Sequence, residues 1–146
     1  MLTLDRTLPR LFIALGLLLA GSAMAAQPVT ASGGWIRLLP GDLPLAGYVT
    51  LHNSTDKPMK LVGVKSAAFK RIEMHHSMTM SGMDKMMPVS SVTIPASGEF
   101  SFSPGGYHLM MWRRVELHFA QQVPVTLEFA DGSEIKTEFT VKGPAQ

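Results

Sequence analysis

The most constraining feature of the sequence is an alternation of apolar and polar residues on both sides of Asp131-Gly132. The apolar positions before this dipeptide are Val123, Val125, Leu127 and Phe129. A second alternation follows it, at Ile135, Thr137, Phe139 and Val141. Alternate residues of a strand face opposite sides of a sheet, and Asp-Gly favours a tight turn. The pattern predicts a β-hairpin with one face on a core and the other in water.

Similar short runs, bounded by Gly, Pro, Asn, Asp or Ser, fill the chain beyond residue 25, where no eleven residues show a convincing helical period. The predicted strands are Val29–Leu38, Ala46–Asn53, Met59–Lys65, Arg71–His75, Val92–Pro95, Glu99–Ser103, Tyr107–Trp112, Val123–Ala130 and Glu134–Val141. Many short strands separated by turn residues are typical of sandwiches and barrels. We therefore expect a single all-β domain, a Greek-key β-sandwich or barrel.

Residues 1–25 have the features of a secretory signal peptide. Arg6 and Arg10 precede an apolar run over residues 11–20, and Ala23-Met24-Ala25 fits the small-x-small cleavage pattern. The run is shorter than the roughly 20 apolar residues that a membrane-spanning helix needs. We expect cleavage after Ala25, a mature domain of residues 26–146 in the periplasm, and no stable membrane insertion. Without a cysteine at the cleavage site, no lipid anchor is expected.

The composition excludes several classes of protein. The 146 residues include no cysteine, so disulfide scaffolds, thiolate zinc sites, cysteine nucleophiles and blue-copper electron carriers are ruled out. A net charge of +2 without a basic run makes nucleic acid an unexpected partner. Ser90, Ser91, Ser101 and Ser103 have no base at a plausible spacing, so a hydrolytic triad is not expected. We do not expect an enzyme.

Methionine is concentrated in one part of the chain. Of eleven methionines, two lie in the signal segment and eight of the other nine lie between positions 74 and 111, together with His75, His76 and His108. Thioether sulfur and imidazole together suit Cu(I), and they suit Ca²⁺, Mg²⁺ or Mn²⁺ poorly. A single methionine more often fills a gap in a core. The clustering, in a polar segment, instead favours a soft-metal site.

The order of residues at Tyr107–Met111 suggests half of such a site. His108 and Met110 are two apart, so on a strand they share a face, while Leu109 and Met111 point to the core. Residues 74–87 lack a clean alternation, and Ser81-Gly82 suggests a loop or loose hairpin. We expect this segment to reach over the strand and supply the remaining ligands.

The spacing of His75, Met86, His108 and Met110 resembles the signature of the periplasmic copper chaperones called PCu(A)C. The resemblance extends to the flanking residues and covers roughly residues 31–141. The matching flanks are Gly34–Arg37, Tyr48–Asn53, Ile72–His75, Met86–Val89, Pro104–Met110 and Phe129–Gly132.

The resemblance implies a cupredoxin-like β-barrel that binds one Cu(I) per chain through His75, Met86, His108 and Met110. It also implies that the protein delivers copper to the CuA centre in subunit II of cytochrome c oxidase, often alongside Sco-type proteins. Two alternatives remain open. One is a periplasmic protein that sequesters copper or silver in metal resistance, and the other is a structural β-sandwich with an incidental methionine loop.

Several neighbouring residues have two possible interpretations. Glu73 shares a strand face with His75, so it either orients the imidazole or is a surface charge. Tyr107 or Trp112 is expected to shield the site. His76, Met78, Met80 and Met83 are either secondary copper ligands or solvated loop residues. Arg113-Arg114 is either a solvated edge or a docking point for an acidic partner. His52 and His118 are interpreted as structural.

Overall fold

The structure, a computed structural model, describes residues 27–144, so the predicted signal peptide and its cleavage site lie outside the described residues. Within this range there are ten strands and no helix. The strands are β1 (Val29–Arg37), β2 (Leu45–Asn53), β3 (Met59–Lys65), β4 (Phe69–Met80), β5 (Met83–Pro88), β6 (Val92–Ile94), β7 (Glu99–Phe102), β8 (Tyr107–Arg113), β9 (Gln122–Phe129) and β10 (Glu134–Lys142).

All ten strands belong to one sheet. Its order is β5-β4-β8-β2-β1-β10-β9-β3-β6, and β7 pairs with β2 beside β8. The pairing of β1 with β10 is parallel, for example Trp35 with Thr140, while the other pairings between the described strands are antiparallel. Non-consecutive neighbours in this order mean that the chain crosses repeatedly between distant parts of the sheet.

A single apolar core lies against one face of this sheet. Every strand except β5 contributes a buried apolar side chain to it, and Phe139, Leu109 and Met111 are completely buried. Strand β5 is exposed along its whole length. The expectation of a single all-β domain is confirmed. Strand β5 is the one described strand that contributes no side chain to the core.

The predicted C-terminal hairpin is present as β9 and β10. Its turn is closed by a hydrogen bond of 3.0 Å from the Gly132 N–H to the Phe129 carbonyl, and Gly132 has a φ of 87°. This geometry is a type I turn followed by a left-handed residue, a conformation that glycine adopts without steric cost. The alternating apolar residues of both strands point into the core.

Of the two expectations for residues 74–87, a loop or a loose hairpin, the structure shows the hairpin. Strand β4 continues to Met80 and pairs with β5 in a regular ladder, so the segment is an ordered hairpin rather than a loop. Ser81 and Gly82 have φ values of 53° and 76°, which is the pattern of a two-residue type I′ turn. Hydrogen bonding to β8 on one side and β5 on the other forms the strand without an apolar alternation.

Candidate metal centre

The first half of the predicted site lies on β8 as expected. His108 and Met110 are alternate residues of this strand, so they project from the same face of the sheet. Leu109 and Met111, between and after them, are fully buried in the core. Two donors of different type, an imidazole and a thioether, are therefore held side by side on the outer face of a strand whose inner face is anchored.

Strand β4 places His75 directly opposite His108. The two residues are cross-strand partners, and their ring centroids are 5.7 Å apart. Only 9% of His75 and 7% of His108 is exposed, which makes them two of the three buried polar residues of the described chain. Buried polar side chains require partners, so this pair of imidazoles is the most informative feature of the outer face.

Strand β5 adds the fourth residue. Met86 is the cross-strand partner of Ser77, which is two residues beyond His75 on the same face of β4. Met86 is therefore a diagonal neighbour of His75, and it is 62% exposed. Strands β5, β4 and β8 together bring all four predicted ligands to one face, which we call the site face and define by Glu73, His75, Ser77, Met86, His108 and Met110.

The two ring nitrogens of His75 have different environments. Its Nε2 lies 3.0 Å from a carboxylate oxygen of Glu73, to which an Nε2–H donates. Its Nδ1 is buried and has no hydrogen-bond partner among residues 27–144. Because the carboxylate fixes the proton on Nε2, the lone pair of Nδ1 is free to bind a metal. A buried nitrogen without a partner is costly unless a ligand satisfies it.

Glu73 is itself held from the other side. Its second carboxylate oxygen is 3.1 Å from the Nε of Arg71, and the Arg71 guanidinium lies 3.8 Å from the centre of the Trp112 ring. Arg71, Glu73 and His75 are alternate residues on one face of β4, so this contact chain extends along the strand to the candidate ligand. Glu73 orients His75 rather than being an isolated surface charge. Arg71 was not identified from the sequence.

Burial favours the neutral form of His108. Burial lowers the pKa of His108, and the neighbouring His75 lowers it further, against an opposing contribution from the Gly106 backbone. Its Nδ1 lies 3.5 Å from the hydroxyl of Ser77, which is a long contact. A neutral imidazole is the form that binds a metal, so a lowered pKa keeps this donor available into mildly acidic solution.

The donor set of the site face is selective. Two imidazole nitrogens and two thioether sulfurs carry no charge, and this combination of soft and borderline donors suits a monovalent soft cation. Among the described residues, no group of three His, Cys, Asp or Glu side chains is placed to hold a metal ion. The site face therefore lacks the donors that Ca²⁺, Mg²⁺ or Zn²⁺ prefer. The assignment of the four residues as ligands stays a prediction.

The structure separates the candidate secondary ligands from this face. His76, Met78, Met80 and Met83 follow the opposite parity along β4 and β5, so they project from the other side of the hairpin and cannot complete the same site. Tyr107 also lies there, stacked on His76. Of the two residues expected to shield the site, Trp112 alone has the parity of His108 and Met110.

Four other residues considered from the sequence lie away from the site face. Arg113 and Arg114 are at the far end of β8 from His108, beside Lys70 and Glu116. His52 is on β2 near Glu99, and His118 is in the connection between β8 and β9. Spacing along the chain alone does not show that these residues lie away from the site. Residues close in sequence can lie at opposite ends of a strand.

Comparison with known proteins assigns the chain to a family. A family model described as "Putative lipoprotein LpqE-like" matches residues 29–141. The chain belongs to this family. A relative from Leifsonia xyli subsp. xyli (strain CTCB07), named "Putative lipoprotein Lxx21020", is 30% identical over 119 residues, covering 80% of this chain and 71% of the relative.

Solved structures extend this family assignment to the PCu(A)C domains. The solution structure of CuI-DR1885 from Deinococcus radiodurans is 33% identical, with a TM-score of 0.59, and the match covers 83% of each chain. The copper-bound PCuAC domain from PmoF2 shares the fold, with 24% identity and a TM-score of 0.67 over 82% of this chain and 97% of that one. The PCu(A)C resemblance and the cupredoxin-like fold are confirmed.

Proposed function

We propose that this LpqE-like chain binds one Cu(I) as cargo on its site face, through His75, Met86, His108 and Met110. The observation that carries the proposal is the convergence of two imidazoles and two thioethers from three strands onto one face. The unpartnered Nδ1 of His75 supports it, because a bound cation would satisfy that nitrogen. The copper named in the matched PmoF2 and DR1885 structures supports the choice of metal.

The proposed role is delivery rather than catalysis. His75 and His108 are buried on strands anchored to the core, whereas Met86 is 62% exposed on the peripheral β5. An acceptor can therefore displace Met86 first while the histidines still hold the ion, and ligand exchange can proceed one bond at a time. The resemblance to PCu(A)C proteins supports an acceptor in the CuA domain of cytochrome c oxidase subunit II, with a Sco-type protein as a second partner.

We also propose that the protein acts in the periplasm. The signal-like segment at residues 1–25 and the lipoprotein names of the matched family and relative support export. Among residues 27–144, no helix of the length and apolarity needed to cross a membrane is present. A site built without thiols fits an oxidising compartment, since methionine and histidine cannot form disulfides there.

Competition with a Cu(I)-specific chelator tests the binding site. Met86→Leu and Met110→Leu keep apolar volume but remove sulfur, while His75→Ala and His108→Ala remove nitrogen. Each variant should weaken Cu(I) binding by at least about tenfold, which corresponds to about 1.4 kcal/mol. Met59→Leu on β3 and His118→Ala, both distant from the site face, serve as matched controls. Wild-type affinity in all four ligand variants would refute the assignment.

Transfer to an acceptor tests delivery separately. The Cu(I)-loaded protein is mixed with an apo CuA domain, the two are separated, and the copper in each is measured. Movement of copper to the acceptor supports delivery. The Met59→Leu control should transfer copper at the wild-type rate. Retention of copper against the acceptor would favour sequestration, and failure of wild type to bind Cu(I) at all would favour a structural sandwich.

A further inference from the structure

The β4–β5 hairpin carries a second set of soft donors on the side opposite the site face. The register pairs His76 with Met87, Met78 with Lys85, and Met80 with Met83. These residues alternate with those of the site face, so they project together from the other side of the hairpin. We call this side the opposite face and define it by His76, Met78, Met80, Met83, Lys85 and Met87.

The methionines of the opposite face do not serve as core packing. Met74 and Met111 are buried in the core and Met59 packs against it, but the four methionines of the opposite face are not among the residues of that cluster. Met80 is 47% exposed, Met83 60% and Met87 47%. Exposed large apolar side chains are usually scattered singly on a surface. Four thioethers and an imidazole on one side of a single hairpin need a different explanation.

His76 is held in a fixed orientation. Its ring stacks on Tyr107 at a centroid distance of 4.0 Å and an interplanar angle of 4°, and Tyr107 in turn packs edge-on against Phe100 at 5.0 Å. Stacking on Tyr107 covers one face of the ring and leaves the ring edge, which carries both nitrogens, outside the stack. Within residues 27–144 neither nitrogen of His76 has a hydrogen-bond partner. The imidazole is thus an oriented donor whose nitrogens are free.

We propose that His76, Met78 and Met87 form a second binding site for a soft monovalent cation, Cu(I) or Ag(I). Directly opposed residues of an antiparallel pair have Cβ atoms about 5 Å apart, which places the Met87 thioether beside the His76 ring. Met78 is the next residue of β4 on that face, about 7 Å further along. One imidazole and two thioethers are therefore neighbours on the opposite face, and Met80 and Met83 extend the sulfur surface towards the turn.

The charges on the two faces indicate which of the two sites binds a cation more tightly. The site face has the Glu73 carboxylate hydrogen-bonded to His75, and a negative charge there favours a bound cation. The opposite face has the ammonium of Lys85 across from Met78, which disfavours cations and disfavours divalent ones most. The second site therefore binds monovalent ions more weakly than the first and fills after it. It stands on its own residues and does not depend on the proposed function.

A titration with Ag(I), followed by NMR of 13C-methyl-labelled methionine, distinguishes the two sites. The methyl signals of Met86 and Met110 should move with the first equivalent, and those of Met78 and Met87 with the second. A His76→Phe/Met78→Leu/Met87→Leu variant keeps the aromatic stack and the apolar volume. It should bind the second equivalent at least tenfold more weakly while the first set of shifts is unchanged.

The proposal is overturned if the Met78 and Met87 signals stay in place through excess Ag(I). It is also overturned if the triple variant takes up the second equivalent as wild type does. An absence of movement at Met86 and Met110, with movement at Met78 and Met87, would instead refute the primary site and leave the second one standing. Near-ultraviolet circular dichroism of the triple variant checks that the fold is intact.

Discussion

Two hairpins of this protein have similar backbones but differ in whether their side chains are buried or exposed. Strands β9 and β10 are joined by a tight turn and bury one face, including Phe139 and Leu127, completely. Strands β4 and β5 are also joined by a tight turn, yet β5 is exposed along its whole length. Apolar periodicity therefore reports which face is buried, and it does not report whether a strand is present.

The contrast has a functional meaning. In the β9–β10 hairpin the alternating Val, Leu, Ile and Phe side chains are buried in the core, so they are not available to a ligand. In the β4–β5 hairpin the thioethers beyond Met74 are excluded from the core cluster and lie where an ion or an acceptor can reach them. The anchored strands β4 and β8 position the imidazoles, while the peripheral β5 supplies a donor that can be exchanged.

The largest expected difference between the hairpins is in stability. Phe139→Ala removes a completely buried ring, and it should lower the free energy of unfolding by about 3–5 kcal/mol. Met83→Ala removes a side chain that is 60% exposed, and it should change that free energy by no more than about 0.5 kcal/mol. Chemical denaturation followed by tryptophan fluorescence measures both. Equal losses would show that the β4–β5 hairpin is part of the cooperative core after all.

Much of the fold could be predicted because burial repeats along most strands. The bounds of β3 were predicted without error, and those of β9 and β10 to within a residue, since their apolar residues alternate and glycine marks the turn. The second half of β4 could not be recognised, because the adjacent histidines His75 and His76 interrupt the alternation between its two faces. There the strand is maintained by hydrogen bonding to β5 and β8, and a single-sequence pattern contains no signal for such pairing.

The candidate site divides in the same way. His108 and Met110 could be placed on one face from their spacing, and the family resemblance supplied His75 and Met86. The separation of His76 and Met78 from that face required the register of β4 against β5. The contact chain from Trp112 through Arg71 to Glu73 required the register of β4 against β8. Both depend on strand pairing, which sequence spacing does not encode.

A second prediction concerns how the anchored part of the site is tuned. Glu73→Gln keeps the size of the side chain but removes the charge that faces His75 across 3.0 Å. Loss of such a partner typically reduces metal affinity by about 10–100-fold, so a decrease of at least tenfold in Cu(I) affinity is expected. Glu138→Gln on β10, a carboxylate of the other hairpin, is the matched control. If chelator competition gives the two variants the same affinity, Glu73 does not orient the ligand.

The smallest expected effect concerns the turn of the β9–β10 hairpin. Hydrogen bonds from the Ser133 hydroxyl, at 2.6 Å, and the Ser133 N–H, at 2.9 Å, lower the pKa of Asp131. A carboxyl with a lowered folded-state pKa contributes stability above its unfolded pKa of about 3.9, and the contribution is lost as the pH falls through the folded value. Ser133→Ala removes one of the two bonds, so the pKa of Asp131 should rise towards its ordinary value.

Carboxyl 13C NMR titration measures the rise in the pKa of Asp131. Ser101→Ala on β7 is the control, because it also removes a serine hydroxyl but lies away from this turn. Because the Asp131 carboxyl is fully exposed, the change in stability should be small and confined to acidic solution. The Cu(I) affinity of Ser133→Ala at neutral pH should equal that of wild type, since the turn shares no residue with the site face. A loss of Cu(I) affinity in this variant would mean that the two hairpins are coupled through the core, and that the division between a packing hairpin and a binding hairpin does not hold.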